Sequence, residues 1–288
     1  MLRIATFSLA AYDPAEEAWG IAVASKFPAA GAVVPWARAG AGAVATQSYA
    51  NTSFGPRGLE RMQRGLSAPS VLKELLDADP EAAQRQVGMI DSAGSPATFT
   101  GSECIPWAGG RTGDHFAMQG NILTGEETLE AMEEAFLSSD EPFPERLLTA
   151  LLAADRAGGD RRGRQSAALL VVKAEGGYGG FNDRWIDYRV DDHPDPIPQL
   201  QHLLSLHRLY FGSSEPEEQL PLEGETLDQL ITILHKLAYL PSDVTALNPT
   251  AMKALRRFIG NENFEDRTNL DQHTIDLPVF TYLMKKYG

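Results

Sequence analysis

The chain has 288 residues, 43% of them hydrophobic, which is enough for a large domain with a sizeable core and a smaller second domain. Its 39 acidic and 25 basic residues give a net charge of -14, which repels nucleic-acid phosphates and anionic membranes, so we expect neither as a partner. The single cysteine, Cys104, excludes an internal disulfide and a multi-thiolate metal site. We expect no metal and no cofactor.

The first half of the chain predicts strands followed by helices. Residues 4–12 and 19–25 are apolar runs separated by an acidic, proline-bearing turn, which predicts a β-hairpin. Residues 42–47 predict a third strand. Over residues 55–79 the apolar positions recur at three- and four-residue steps, which predicts two short helices joined at Gly65.

The same succession then repeats. The segments QVGMIDSAG, SPATFTG and HFAMQGNIL predict three strands, with a hairpin turn at 92–94 between the first two. Residues 126–138 and 144–157 predict two helices. The buried-type run at 166–175 predicts a strand that pairs with RWIDYRV across the turn GGYGGFND.

Strands therefore come in blocks between helix pairs, which disfavours a doubly wound parallel sheet. The order predicts an α+β fold, a four-layer α/β/β/α sandwich over residues 1–190. Three prolines and several aspartates predict a linker at 191–199, because proline removes a backbone donor and disfavours helix before it. The apolar periodicity of residues 200–288 predicts a small all-α domain.

Two segments carry residues suited to binding or catalysis. The basic, glycine-bearing loop in GGDRRGRQSAALLVV runs into a buried strand and could present arginines to an anion, or it could be a solvated loop of charges. In MQGNIL, Gly120 and Asn121 stand where a strand ends, so their N–H groups could hold an oxyanion or cap a helix. His115 is the one histidine before the linker, which leaves little scope for a Ser-His-Asp triad there.

Four blocks of sequence together resemble the bacterial domain of unknown function 1028, which is placed among the Ntn-hydrolase-like proteins. The blocks, which span about residues 4–195, are ATFSLAAYDP, WGIAVASKFPAAGAVVPWARAGAGAVATQSYANTSFGPRGL, CIPWAGGRTGDHFAMQGNIL and GGDRRGRQSAALLVV. The tail, with ENFEDR at 262–267, is similar to a small helical module named for peptidoglycan binding and often fused to this family.

The resemblance implies a four-layer sandwich and a chemistry that uses an N-terminal Thr, Ser or Cys with its own α-amine as base. Thr6 matches the family's start and becomes the candidate nucleophile, provided that the Ala5–Thr6 bond is cleaved. By element order, Lys26 falls where a proteasome-like site keeps a charge beside the nucleophile. The other carried-over positions, for an oxyanion or substrate, are Thr46, Gln47, Gly120, Asn121 and Asp160.

Two functions follow as alternatives. The first is an amidohydrolase of a small amide or peptide-like C–N bond, with Thr6 as nucleophile. The second is a non-catalytic binding protein that recognises an anionic ligand through Arg161, Arg162 or Arg164. We expect a homo-oligomer. We expect it in the cytoplasm, because no apolar run could span a bilayer and the start lacks the apolar core of a signal peptide. Peptidoglycan lies outside that compartment, which favours intracellular partners for the tail.

Overall fold

The computed structural model describes residues 6–288 of the chain, which divide after residue 203 into two compact units. Helix α5 (Pro196–Phe211) contains the boundary between them. The linker predicted at 191–199 is therefore only partly irregular. Its last four residues are helical because proline is tolerated in the first turn of a helix, where its missing N–H has no partner to lose.

The first unit contains a six-stranded antiparallel sheet in the order β10-β9-β2-β1-β8-β7. Strands β1 and β2 form the predicted hairpin, and so do β9 and β10. The bounds are β1 (Thr6–Asp13), β2 (Ala18–Ser25), β7 (Gly109–Gly113), β8 (Phe116–Asn121), β9 (Ser166–Lys173) and β10 (Arg184–Val190).

A four-stranded antiparallel sheet, in the order β3-β4-β5-β6, faces the first sheet. Its strands are β3 (Pro35–Arg38), β4 (Gly42–Ser48), β5 (Arg85–Asp91) and β6 (Pro96–Thr100). Side chains alternate across each strand, so every second residue points into the space between the sheets. Part of that space is filled by an apolar cluster that includes Ala10, Ile21, Ala45, Ile90 and Leu170.

A pair of helices covers the outer face of each sheet. Helices α1 (Phe54–Gln63) and α2 (Ala68–Asp77) pack on the four-stranded sheet, where Gly58 lies against Val44. Helices α3 (Glu127–Ser138) and α4 (Phe143–Arg156) pack on the six-stranded sheet, and α4 comes so close that a Cβ on Gly20 would meet Leu147 at 2.4 Å. Described by its layers, this unit is helices, sheet, sheet and helices.

The second unit is mainly helical but is not all-α, which corrects the sequence-based prediction. After the end of α5 come α6 (Gly224–Lys236), α7 (Pro249–Asn261) and α8 (Leu277–Tyr287). A small sheet in the order β11-β13-β12 joins them, with β11 (Gln219–Pro221), β12 (Thr268–Asn269) and β13 (Thr274–Asp276). Strands of two or three residues are too short to show a period in the sequence.

Within residues 6–288, no helix combines the length and the apolar content that a bilayer crossing needs.

Candidate functional site

Thr6 is the first residue of β1 and lies fully buried between the two sheets. It pairs with Ser25 of β2 on one side and with Asn121 of β8 on the other. Its Oγ1 donates a hydrogen bond of 3.2 Å to Ser25 Oγ. The candidate nucleophile therefore has an oriented hydroxyl, and Ser25 is a site residue that the sequence analysis did not identify. Ala5, the other half of the proposed cleavage site, lies outside the described residues.

Beside Thr6, uncharged polar side chains fill the space between the sheets. Ser8 Oγ donates to Gln47 Oε1 at 2.6 Å and accepts from Gln119 Nε2, also at 2.6 Å. Gln86 Oε1 accepts from Gln47 Nε2 at 2.9 Å and from Asn121 Nδ2 at 2.8 Å. All of these residues are 1% exposed or less, so the hydrogen bonds among them replace those lost to water. We call Ser8, Gln47, Gln86, Gln119 and Asn121 the amide network.

The amide network also holds the backbone of the candidate nucleophile. The Thr6 carbonyl oxygen accepts from Gln47 Nε2 at 3.2 Å and from Asn121 Nδ2 at 3.5 Å. Gln47 and Asn121, the predicted oxyanion residues, thus lie next to Thr6. Their side-chain N–H groups are bound to protein acceptors in this structure, because each is needed to satisfy a buried oxygen.

Thr46 and Gly120 lie beside the amide network but contribute differently. Thr46 points to the opposite face of β4 from Gln47, and its Oγ1 donates to the carbonyl oxygen of Asn51 at 3.3 Å. Gly120 lies inside β8, paired with both neighbouring strands, and its carbonyl oxygen accepts from Gln86 Nε2 at 2.7 Å. A Cβ at Gly120 would meet Leu123 at 2.4 Å, so glycine here serves close packing.

Lys26 and Asp160 are neighbours at the end of β2. The Asp160 carboxylate is buried and accepts from the Lys26 backbone N–H at 2.8 Å and from the Arg162 Nη2 at 3.0 Å. The Lys26 side chain is exposed, and its Nζ donates to the carbonyl oxygen of Arg164 at 3.2 Å. Asp160 therefore joins the loop before β9 to the end of β2, and the Lys26 ammonium bonds to that loop.

The loop arginines are exposed, and two of them form ion pairs with carboxylates. Arg164 Nε binds Asp155 Oδ1 at 2.8 Å, and its Nη1 binds Asp195 Oδ1 at 3.2 Å. Asp155 raises the pKa of the Arg164 guanidinium above its usual range. Arg162 is paired with Asp160. An anion that bound to these two arginines would compete with carboxylates already in place.

A cavity of about 10 Å³ opens beside Asn121, with room for roughly one water molecule. Ser48 and Ile122 line it, and their φ angles are 64° and 53°. A β-branched residue such as Ile122 is rarely found in this left-handed region, because its side chain crowds the backbone. Backbone strain of this kind is concentrated at functional sites, and here two strained residues border one cavity next to the strand partner of Thr6.

A buried ion pair lies at the start of β5. Arg85 and Asp79 are bonded at 2.9 Å, with side chains that are 6% and 5% exposed. The hydrogen bond from Arg85 lowers the pKa of Asp79 to about 2, although burial opposes the shift. Arg85 Nη1 also donates to the carbonyl oxygen of Tyr49, a residue that lines the small cavity.

Neither Cys104 nor His115 is placed to activate Thr6. Burial raises the pKa of the Cys104 thiol, so it stays protonated and weakly nucleophilic near neutral pH. His115 follows β7 and contacts Tyr12, at the end of β1 opposite to Thr6. Across the described residues, no group of three or more His, Cys, Asp or Glu side chains is arranged to hold a metal ion.

Ser8, Ser25, Gln86 and Gln119 are the site residues that sequence reasoning missed. A usable signal was present, because polar residues alternate with apolar or small ones in TFS of β1 and in QGN of β8. On a strand this period places the polar side chains on one face. Two strands with a polar inward face predict a buried hydrogen-bonded network.

Comparisons with known proteins match the two units to different family models. The model of a family of unknown function, DUF1028, matches residues 6–200, and the chain belongs to this family. A second family model, described as "Putative peptidoglycan binding domain", matches residues 210–283. Among curated proteins no significant match is found.

A solved structure is similar to this chain. The crystal structure of protein SPO2555 from Silicibacter pomeroyi, described as DUF1028, is 33% identical with a TM-score of 0.65. The alignment covers 71% of this chain and 89% of that one.

Proposed function

We propose that the first unit is an Ntn-type sandwich and acts as an amidohydrolase with Thr6 as an N-terminal nucleophile. The observation that carries the proposal is the position of Thr6, whose hydroxyl lies between the two sheets and is bonded to Ser25 Oγ. The antiparallel sheets with helices on both outer faces support the sandwich assignment. The substrate would be a small amide or a peptide-like C–N bond.

The chemistry requires cleavage of the Ala5–Thr6 bond, because the nitrogen of Thr6 is an amide and not a base until then. After cleavage, the α-amine would take the hydroxyl proton while Thr6 Oγ1 attacks the substrate carbonyl carbon. The C–N bond then breaks, the leaving amine takes the proton, and the acyl group stays on Thr6 Oγ1 as an ester. A water molecule then attacks that ester after losing a proton to the α-amine; the acid is released, and the proton returns to Thr6 Oγ1. Since Thr6 is fully buried, desolvation would lower the pKa of this amine and keep it neutral at physiological pH.

The neighbouring groups have defined parts in this proposal. Ser25 would orient the Thr6 hydroxyl, and Gln47 and Asn121 would supply the nearest N–H donors for the oxyanion. Each donor would have to give up its hydrogen bond to the Thr6 carbonyl oxygen and bond to the substrate oxygen instead. Lys26 bonds to the Arg164 carbonyl, so burial, not this ammonium, would act on the amine.

Intact mass and hydrolysis together test the proposal. We expect the wild-type protein to lose residues 1–5 and to release amine or ammonia from a panel of small amides and peptides. Thr6→Ala should abolish turnover, and Thr6→Ser should retain part of it. Thr112→Ala, on an exposed position of the same sheet, is the matched control and should leave it intact. Hydrolysis by uniformly full-length protein, or by Thr6→Ala, would refute the mechanism.

A non-catalytic binding function is the second candidate, and it is favoured by the full burial of Thr6 and by the protein acceptors that already occupy the Gln47 and Asn121 N–H groups. In that case a ligand from the amide panel should raise the melting temperature equally in wild type and Thr6→Ala, with no turnover and no loss of residues 1–5. Stabilisation that disappears in Thr6→Ala would speak against pure binding.

For the second unit, we propose binding to peptidoglycan, on the basis of the family match and of a cavity of about 430 Å³. Arg256, Asp271 and Asn269 line the cavity, and Thr268 Oγ1, also in its wall, is buried without a hydrogen-bond partner among the described residues. A sugar hydroxyl or peptide amide could satisfy that oxygen. The full chain should sediment with purified peptidoglycan and Asn269→Ala should not; an unretained wild type would remove the proposal.

A further inference from the structure

A cavity of about 360 Å³ lies beside the edge strands β3 and β10, apart from the Thr6 site. Ala168 lines this cavity and lies on β9, two strands away from the strand of Thr6 and two residues further along. The usual spacings between strands and between residues then put it about 12 Å from Thr6. Ala30 and Val34 are fully buried in the apolar cluster that contains Ala168. We call this cavity the edge groove.

Three arginines, from two strands, line the edge groove, and the lining contains one carboxylate. Arg184 is paired with Asp187 at 2.7 Å, while Arg38 Nη1 donates to the neutral Gln63 at 2.6 Å. Arg189 has no ion-pair partner within residues 6–288. The lining therefore carries a net charge of about +2 in a chain whose net charge is -14. An excess of positive charge is unexpected for a surface of this protein and indicates attraction of an anion.

The backbone holds Arg189 over the groove. A Cβ on Gly31 would come within 2.7 Å of Arg189 Cγ and 2.8 Å of its Cδ. The aliphatic part of Arg189 thus lies on the bare backbone of Gly31, which leaves its guanidinium at the rim. A guanidinium held in this way can form two parallel hydrogen bonds to a carboxylate or a phosphate.

The rest of the lining is apolar. Trp36 donates its Nε1 hydrogen to the carbonyl oxygen of Val33 at 2.9 Å, so the indole is fixed and has no free donor. Pro56, Leu59 and Leu170 complete the apolar wall. A binding site with an apolar wall and a few charged groups at the rim suits a ligand that has an apolar body and one charged end.

We propose that the edge groove binds small anions in which a carboxylate or phosphate is attached to an apolar body. Arg189 and Arg38 would hold the anionic group, and Trp36 and Leu59 would contact the body. The site is independent of the proposed chemistry at Thr6, since no residue of the edge groove belongs to the amide network.

Calorimetric titration with three matched probes tests the proposal on the full chain. Phenylacetate and phenyl phosphate share an apolar ring and differ in the anion, whereas phenylacetamide is the neutral counterpart of phenylacetate. We expect one or both anions to bind, about tenfold or more tightly than the amide, and added salt to weaken them. The stronger of the two anions identifies the ligand class as carboxylate or phosphate.

Variants assign the binding to the edge groove. Arg189→Gln should weaken the anion about tenfold, and binding should change Trp36 fluorescence in a way that Trp36→Phe removes. Arg64→Gln is the matched control, because Arg64 is an exposed arginine of the same unit paired with Glu60 outside the groove. Equal binding of anion and amide, no binding at millimolar concentration, or unchanged affinity in a folded Arg189→Gln would each overturn the proposal.

Discussion

Ser8 of the six-stranded sheet and Gln47 of the four-stranded sheet are joined by a buried hydrogen bond of 2.6 Å. The same glutamine bonds to Gln86 and to the carbonyl oxygen of Thr6, so it connects both sheets to the candidate nucleophile. Polar contacts therefore join the two sheets at this end, and apolar packing joins them elsewhere.

Removal of the Gln47 side chain should destabilise the first unit strongly. Gln47→Ala removes one hydrogen bond each from Ser8 Oγ, Gln86 Oε1 and the Thr6 carbonyl oxygen and deprives the buried Ser8 hydroxyl of its acceptor, at a cost of about 2–4 kcal/mol. Urea unfolding measures the loss. Gln201→Ala, which changes an exposed glutamine of the same unit, should alter stability by less than about 0.5 kcal/mol. Similar values for the two variants would contradict a stabilising amide network.

The ion pair between Asp79 and Arg85 should make the free energy of unfolding depend on pH in the acid range. The pKa of Asp79 is lowered to about 2 in the folded state, so its contribution is present above the unfolded-state pKa and is lost as the pH falls from about 4 towards 2. We expect Asp79→Asn to lose about 2–3 kcal/mol at neutral pH and to show a flatter acid dependence than wild type.

The measurement for Asp79 is urea unfolding at a series of pH values between neutral and pH 3. Asp77→Asn is the control, because Asp77 is exposed and its pair with Lys73 is solvated. It should keep the wild-type acid dependence. An identical slope in wild type and Asp79→Asn would show that Asp79 does not carry the effect.

The strained backbone at Ser48 should reverse the usual preference for alanine over glycine. Since φ is 64° there, Ser48→Gly should be more stable than Ser48→Ala by about 1 kcal/mol. In helix α2, at Ser70, alanine should instead be the more stable by about 1 kcal/mol. Thermal unfolding of the four variants checks both signs, and a preference for alanine at both sites would argue against strain.

In the second unit, Arg267 should be the most sensitive charged position. Its buried guanidinium binds Asp276 at 2.5 Å and the carbonyl oxygens of Arg208 and Leu209 at 2.8 and 2.9 Å. Arg267→Met leaves an unpaired buried carboxylate, so amide hydrogen exchange in residues 204–288 should accelerate as expected for a loss of about 3–5 kcal/mol. Arg256→Met, at an exposed pair, should leave exchange nearly unchanged.

The sequence predicted the elements whose signals are local. The hairpins β1–β2, β5–β6 and β9–β10 have alternating or apolar runs around turn residues, and the helices show a clear period. Strand β7 was missed, because GGRTG has no apolar residue and pairs only through its neighbour β8. Strand β3 has four residues and begins with proline, so it too lacks a period.

The site was predicted less completely than the fold. Thr6 and Asn121 were both identified, and the structure pairs them as strand partners. Their surroundings depend on contacts between residues far apart in the chain, such as the bond from Gln119 to Ser8 across 111 positions. No local pattern determines which glutamine meets which serine. That information comes from the packing of one sheet on the other.

Helix α5 crosses the boundary at residue 203, and this affects how the C-terminal unit should be isolated. A fragment that begins at residue 204 would keep only the last two turns of the helix. So short a helix is marginal in water, and its carbonyl oxygens at Arg208 and Leu209 are those that bind Arg267. A fragment that begins before Pro196 would preserve the whole helix, so proteolysis or expression studies of the tail should start there.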